Sequence, residues 1–223
     1  MNEKFVIVTF YTSKYERFVK PWMDSISEYG IMNIAYPKPD VDNWYLNVAN
    51  KPRVVLESLD NVGGKDVVWC DVDAILMNEP VLMNSIETDI AGFRVKPIRT
   101  TRIYIDIHYF WKNYDVIYTG TVYFKNNDKT RKLCKDWLKY LESDEWLARS
   151  ISGVPMIGDQ DSFNHLIREK DRDLTITELP ETYCYIERSS LKVKYPPDTV
   201  FLHYVEGSRN SKFVGKRIHN ANV

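Results

Sequence analysis

The chain predicts an α/β fold, a single domain with a mixed central sheet flanked by helices. Three observations carry that expectation. Short Val- and Ile-rich runs alternate with longer amphipathic stretches in the order strand, helix, strand, helix, strand, as in sheets built by right-handed crossovers. The third run lies in VVWCDVDAIL, residues 67–76, and ends in two acids; open α/β sheets place their ligands at the carboxyl ends of strands. No internal repeat, low-complexity tract or linker divides the 223 residues, a length that suits one sizeable core.

The elements follow in order. FVIVTFY, residues 5–11, reads as a buried strand. Tyr15 to Tyr29 reads as a helix, with Ser13 as its N-cap, Pro21 as a kink and Gly30 as its stop. Ile31 to Tyr36 fits a second strand, ended by Pro37 and Pro39, and a polar loop with Trp44 and Tyr45 follows. Residues 47–60 read as a helix that tolerates Pro52 only in its first turn, and Gly63-Gly64 breaks the chain before the strand with the two acids. Further strands are expected at Asp89–Val95, Val116–Phe124, Thr175–Leu179 and Thr199–His203, with helices at Lys129–Leu147 and Gln160–Arg168. Residues 96–115 are irregular and aromatic-rich, which suits a long loop or lid over a site, and Trp44, Tyr104, His108 and Trp111 suit an acceptor platform.

Composition narrows the function. Net charge is −1, and the basic residues are dispersed apart from Arg209, Lys212, Lys216 and Arg217, so a nucleic-acid partner is not expected. The 15 Tyr and 6 Trp suit sugar or base stacking, and equally a packed core. Cys70, Cys134 and Cys184 are odd in number and lack metal-type spacing, which fits reduced thiols in a cytoplasmic protein. The first apolar run is too short for a signal peptide, and none reaches the ~20 residues of a membrane span, so any membrane association would be peripheral.

Asp71 and Asp73 carry the chemistry. Two carboxylates one residue apart beside a hydrophobic core repel each other and are costly to desolvate. A hard divalent cation removes that cost, and oxygen ligands suit Mg, Mn or Ca. Such a cation keeps positions open for substrate phosphates. A solvated turn at a strand end is the alternative reading of the pair.

Beyond this pair, the chain resembles the GT-A class of glycosyltransferases, which use nucleotide-diphosphate sugars, and within it the retaining glycogenin-like and lipopolysaccharide galactosyltransferase group. Four segments carry the resemblance in the family's order: FVIVTFYT, VVWCDVDAIL, YTGTVYFKNN (residues 118–127) and GDQDSFNHL (residues 158–166). FLHYVEGSR, residues 201–209, is a weaker fifth, similar to the family's closing H-F-x-G-x-x-K. The implied fold is a GT-A-like, Rossmann-related domain over residues 1–223. The implied activity is metal-dependent transfer of a hexose, from a UDP-sugar by preference, to a saccharide or other acceptor hydroxyl with retention.

The resemblance assigns roles residue by residue. Asp71 and Asp73 would meet Mn2+ or Mg2+, Asp71 also touching the ribose, and His203 would be the third protein ligand; an imidazole suits Mn better. Thr9, Tyr11 and Thr12 end the strand where the family seats its base, Tyr11 being placed to stack on uracil or to pack in the core. Lys51 and Arg53 match basic residues on the helix before the acids, which touch donor or phosphate in the family; a solvated helix face is the alternative. Asp159 would meet the sugar's hydroxyls, Gln160 would lie near the anomeric carbon, and Asp161 would touch sugar or acceptor; acids here also suit a helix N-terminus. Gly120 would let backbone approach a ligand, or mark a bulge.

The chain also departs from the pattern. Three residues rather than two separate His203 from Gly207, and Arg209 stands where the family's Lys is expected nearby, with Lys212 a second candidate for the diphosphate. Tyr118-Thr119 replaces the family's Asn-Ser. Two other functions remain in play. A haloacid-dehalogenase-type phosphatase also ends a strand in D-x-D, its first Asp the nucleophile, but prefers Gly-Thr where this chain has Ala74-Ile75. A non-catalytic nucleotide-sugar-binding module would keep the fold and lose the chemistry.

Overall fold

The computed structural model describes residues 3–41, 44–95, 116–146, 158–169, 173–187 and 195–204. Nine strands are assigned among them: β1 (Phe5–Tyr11), β2 (Asn33–Pro37), β3 (Asp66–Cys70), β4 (Ala74–Leu76), β5 (Ile90–Val95), β6 (Val116–Phe124), β7 (Ile176–Leu179), β8 (Tyr185–Glu187) and β9 (Phe201–Tyr204). The α-helices are α1 (Glu16–Ser27), α2 (Trp44–Val48), α3 (Asn50–Asn61), α4 (Asp128–Leu141) and α5 (Gly158–Ile167).

Six strands form one sheet in the order β2-β1-β3-β6-β5-β7. β6 runs antiparallel to both its neighbours, β3 and β5, whereas the β1–β2, β1–β3 and β5–β7 pairs are parallel, so the sheet is mixed as expected. Helices cover both faces, which is why β3 reads as a continuous apolar run rather than an alternating one. Val67 and Trp69 pack with Val54, Leu59, Leu133 and Trp137 of α3 and α4. Val68 and Cys70 pack on the other face with Trp22 and Ile26 of α1.

A second sheet, order β4-β9-β8, is the main departure from expectation. The strand foreseen near Thr199–His203 exists, but as β9 of this small sheet, and Ile75-Leu76 beyond the acids are β4, its partner. Three-residue strands such as β4 and β8 are too short for their periodicity to show.

Smaller corrections concern helix starts. Ser13 does not cap α1: it lies in a 3-10 turn, Ser13–Tyr15, and the cap position is Tyr15, with no side-chain cap bond. α1 runs through Pro21 to Ser27. Trp44 and Tyr45 open α2 instead of lying in a loop. Pro52 is the third residue of α3, within its first turn. α4 starts one residue before the expected position because Asn127 caps it, its side chain accepting from Thr130 N at 2.9 Å. α5 starts at Gly158, whose φ of 49° is a left-handed value that side chains disfavour. The lid expected over 96–115, with Tyr104, His108 and Trp111, lies outside the described residues, as do Arg209 and Lys212. Among the described residues, no helix is long and apolar enough to cross a membrane.

Candidate active site

The two acids sit in the tight turn between β3 and β4, where Ala74 N donates to Asp71 O at 3.1 Å. Asp71 N donates to Gly120 O at 2.9 Å, tying the turn to β6. The antiparallel register of β4 with β9 sets Ala74 opposite His203, and Tyr204 N donates to Asp73 O at 3.0 Å. Strand pairing thus delivers the imidazole to the acids. Ligand atoms of Asp71, Asp73 and His203 all lie within 4.8 Å of one another. Two carboxylates and an imidazole at that separation fit a divalent transition metal.

His203 is in the right state for such a role. Burial, with the charge of Lys51 adding, pushes its pKa down to about 3, so the ring is neutral at physiological pH. Nε2 lies 2.8 Å from Thr121 Oγ1; in the tautomer that donates from Nε2, Nδ1 keeps the lone pair a cation needs. The ring rests on Gly120, where an added Cβ would stand 2.9 Å from His203 Cε1. Gly120 therefore serves close approach, but of the imidazole. Gly120→Ala is expected to displace the ring and weaken Mn2+ binding by about tenfold, the scale of a lost orienting contact, as read by calorimetric titration. Equal affinity would show that the ring has room to spare.

Asp73 is pushed up to about pKa 7, by burial first and by the charge of Asp71 second. Protons therefore compete with a cation for this carboxylate in the neutral range. Mn2+ affinity is expected to fall as pH drops from 8 to 6, more steeply than two ordinary carboxylates allow. A flat profile over that range would contradict the shift.

Lys51 links the acids to the second motif. Its Nζ donates to Asp159 Oδ2, to Thr119 O at 3.0 Å, and lies 3.0 Å from Asp71 Oδ1. Burial opposes its charge, but Asp159 and Asp71 more than offset that, so it stays protonated, its pKa held above the ordinary value. Thr119 Oγ1 also donates to Asp159 Oδ2 at 2.8 Å, so the Tyr118-Thr119 departure retains a polar contact at the second position. Gln160 is buried, its Oε1 3.5 Å from Thr119 N and its Nε2 without a hydrogen-bond partner among the described residues. Asp161 is half-buried in the first turn of α5.

A cavity of about 450 Å3 is lined by Tyr11, Thr12, Tyr15, Lys51, Asp71, Asp73 and Asp159, but not by His203, Gln160 or Asp161. Thr9 does not line it: the residue is fully buried in β1, its hydroxyl 3.4 Å from Phe10 O. Arg53 is absent from the lining too; its guanidinium bonds Asn50 Oδ1 at 2.9 Å and Glu142 Oε1 at 2.6 Å, with nearly half the side chain exposed. Of the two basic residues matched on this helix, Lys51 lines the cavity and Arg53 does not, and spacing separates them. Lys51, Val54, Val55, Ser58 and Leu59 are the buried stripe of α3, which Arg53 does not share. Trp69, whose Nε1 donates to Asp71 Oδ1 at 2.8 Å, and Thr121 gave no comparable signal.

Residues 38–221 match the family of nucleotide-diphospho-sugar transferases. The chain belongs to that family. It is accordingly a nucleotide-sugar glycosyltransferase, and the phosphatase reading falls away. Among solved structures the transferase is similar to a glycosyltransferase involved in glycosylating the major capsid of PBCV-1, at 12% identity and TM-score 0.62 over 97% of this chain and 98% of that one. It is also similar to the glycosyltransferase GlyE of Streptococcus pneumoniae, at 12% identity and TM-score 0.62, covering all of this chain and 61% of GlyE. A third, the galactosyltransferase LgtC solved with donor and acceptor sugar analogs, is 10% identical at TM-score 0.58 over 96% and 94% of the two chains. At such identities the likeness shows the shared GT-A fold. No curated protein matches the sequence significantly.

Proposed function

We propose that this transferase is metal-dependent and moves a hexose from a UDP-sugar to a hydroxyl of a saccharide acceptor with retention of configuration. The observation that carries the reading is the Asp71, Asp73 and His203 cluster, whose two acids line a cavity that Tyr11 and Tyr15 also line. The nitrogen ligand favours Mn2+ over Mg2+. When bound, the metal would neutralise charge on the leaving diphosphate.

The protein's own groups supply the rest. Tyr11 and Thr12 at the end of β1 offer a face and a hydroxyl to the base. Asp159 presents acceptor oxygens to sugar hydroxyls, held by Lys51 and Thr119. That pairing lowers its strength as a nucleophile, which favours attack from the leaving-group face over a covalent intermediate. The unpartnered Gln160 Nε2 is a spare donor beside it, suited to the sugar or the incoming hydroxyl. The free, buried cysteines support a reducing, cytoplasmic setting.

The test is nucleotide release from a panel of nucleotide sugars, with MnCl2 or with EDTA, and the product's anomeric configuration by NMR. Release from UDP-sugars only with metal, and a retained anomer, are expected. Equal turnover in EDTA would sink the metal, and an inverted product the stereochemistry. Tight metal-dependent nucleotide binding without turnover on any acceptor would favour the binding-module reading.

A further inference from the structure

We propose that Trp69 is a positioning residue of the metal site, an inference that rests on the metal-dependent reading above. The residue is almost wholly buried in β3, yet its ring borders the cavity. Its indole N–H donates to Asp71 Oδ1 at 2.8 Å. The same oxygen receives Lys51 Nζ at 3.0 Å, and that ammonium stands 5.0 Å from the centroid of the Trp69 ring. One side chain therefore holds the carboxylate through its edge and the cation through its face. Phe10 in turn fixes the ring, with centroids 5.7 Å apart.

The arrangement settles which oxygen Asp71 commits. Both donors take Oδ1, leaving Oδ2 uncommitted among the described residues. A carboxylate with one oxygen fixed by neutral and cationic donors has a single orientation to offer a cation, and groups that orient metal ligands in this way commonly change affinity by about 10–100-fold when lost. The bond does not follow from packing alone. The core Trp137, by contrast, donates to a neutral hydroxyl, Ser162 Oγ at 2.8 Å. Here the partner is an acid of the cluster.

Trp69→Phe keeps an aromatic ring and removes the donor. Binding of Mn2+ alone is measured by calorimetric titration of the full chain, beside Asp73→Ala, and metal-free melting is recorded for each variant. Wild type is expected to bind Mn2+, Asp73→Ala to lose it, and Trp69→Phe to bind about tenfold more weakly. A wild type that does not bind the ion overturns the metal reading and this inference together. Binding by wild type with undiminished affinity in Trp69→Phe overturns this inference alone, and a lower melting temperature with unchanged affinity assigns Trp69 to packing only. A second measurement does not need the variant to fold. In wild-type protein labelled with 15N-tryptophan, Mg2+ titration is expected to shift the Trp69 indole cross-peak, and a cross-peak that stays still through saturation counts against the proposal.

Discussion

Lys51→Met is expected to destabilise the transferase by about 3–5 kcal/mol, the scale of a buried ion pair that loses one partner. The methionine fills the apolar stripe of α3 but leaves Asp159 without its cation. Lys51 is only 6% exposed and the Asp159 side chain 12%, so the loss falls chiefly on Asp159, whereas Asp71 reaches the cavity. Among the described residues, Thr119 Oγ1 would then be the donor left on Asp159 Oδ2, and Trp69 Nε1 the donor left on Asp71 Oδ1. Urea unfolding of the two proteins reads the difference. A loss below about 1 kcal/mol, typical of exposed pairs, would mean that water enters the site freely. Turnover is expected to fall with stability, because the same ammonium orients the acids of both motifs.

Asp73→Asn is expected to act in opposite directions on binding and on stability. Removing a ligand should weaken Mn2+–nucleotide binding by at least about 100-fold, since even the loss of an orienting neighbour reaches that scale. An unchanged affinity would refute the site. The metal-free protein should become more stable at pH 8. The sign follows from the direction of the shift. A carboxyl raised to about 7 in the folded state contributes stability below its unfolded value and loses it as pH rises through 7, so the ionised form is a burden at pH 8. The amide never ionises. Below pH 4 the two proteins should melt alike, and a wild type that melts higher than the variant at pH 8 without metal would contradict the burial and repulsion described for Asp73.

Some of the site was legible in the chain and some was not, for identifiable reasons. Asp71 and Asp73 stood out because a buried strand rarely ends in two acids. GDQDSF stood out through its resemblance, and α5 does present Asp159 to the cavity and to Lys51, while Gln160 is buried and outside the lining. Lys51 was readable in part, but only helical spacing separates its buried position from that of Arg53. Trp69 and Thr121 were invisible as functional residues: in a strand covered on both faces, a residue that orients a ligand looks like one that fills the core. β4 and β8 escaped because three residues carry no period.

By itself the sequence determined the fold class, the strand that carries the acids and the family, because apolar periodicity and local motifs are written in neighbouring residues. The resemblance paired His203 with the acids, but only the tertiary structure decided how such distant groups meet. His203 stands 130 residues beyond Asp73 and reaches it through the β4–β9 register. Lys51 reaches Asp159 because α3 and α5 pack on one face of the sheet. Pairing register and packing are properties of the closed chain, and a charge buried between two acids acquires its partners only when that closure excludes water.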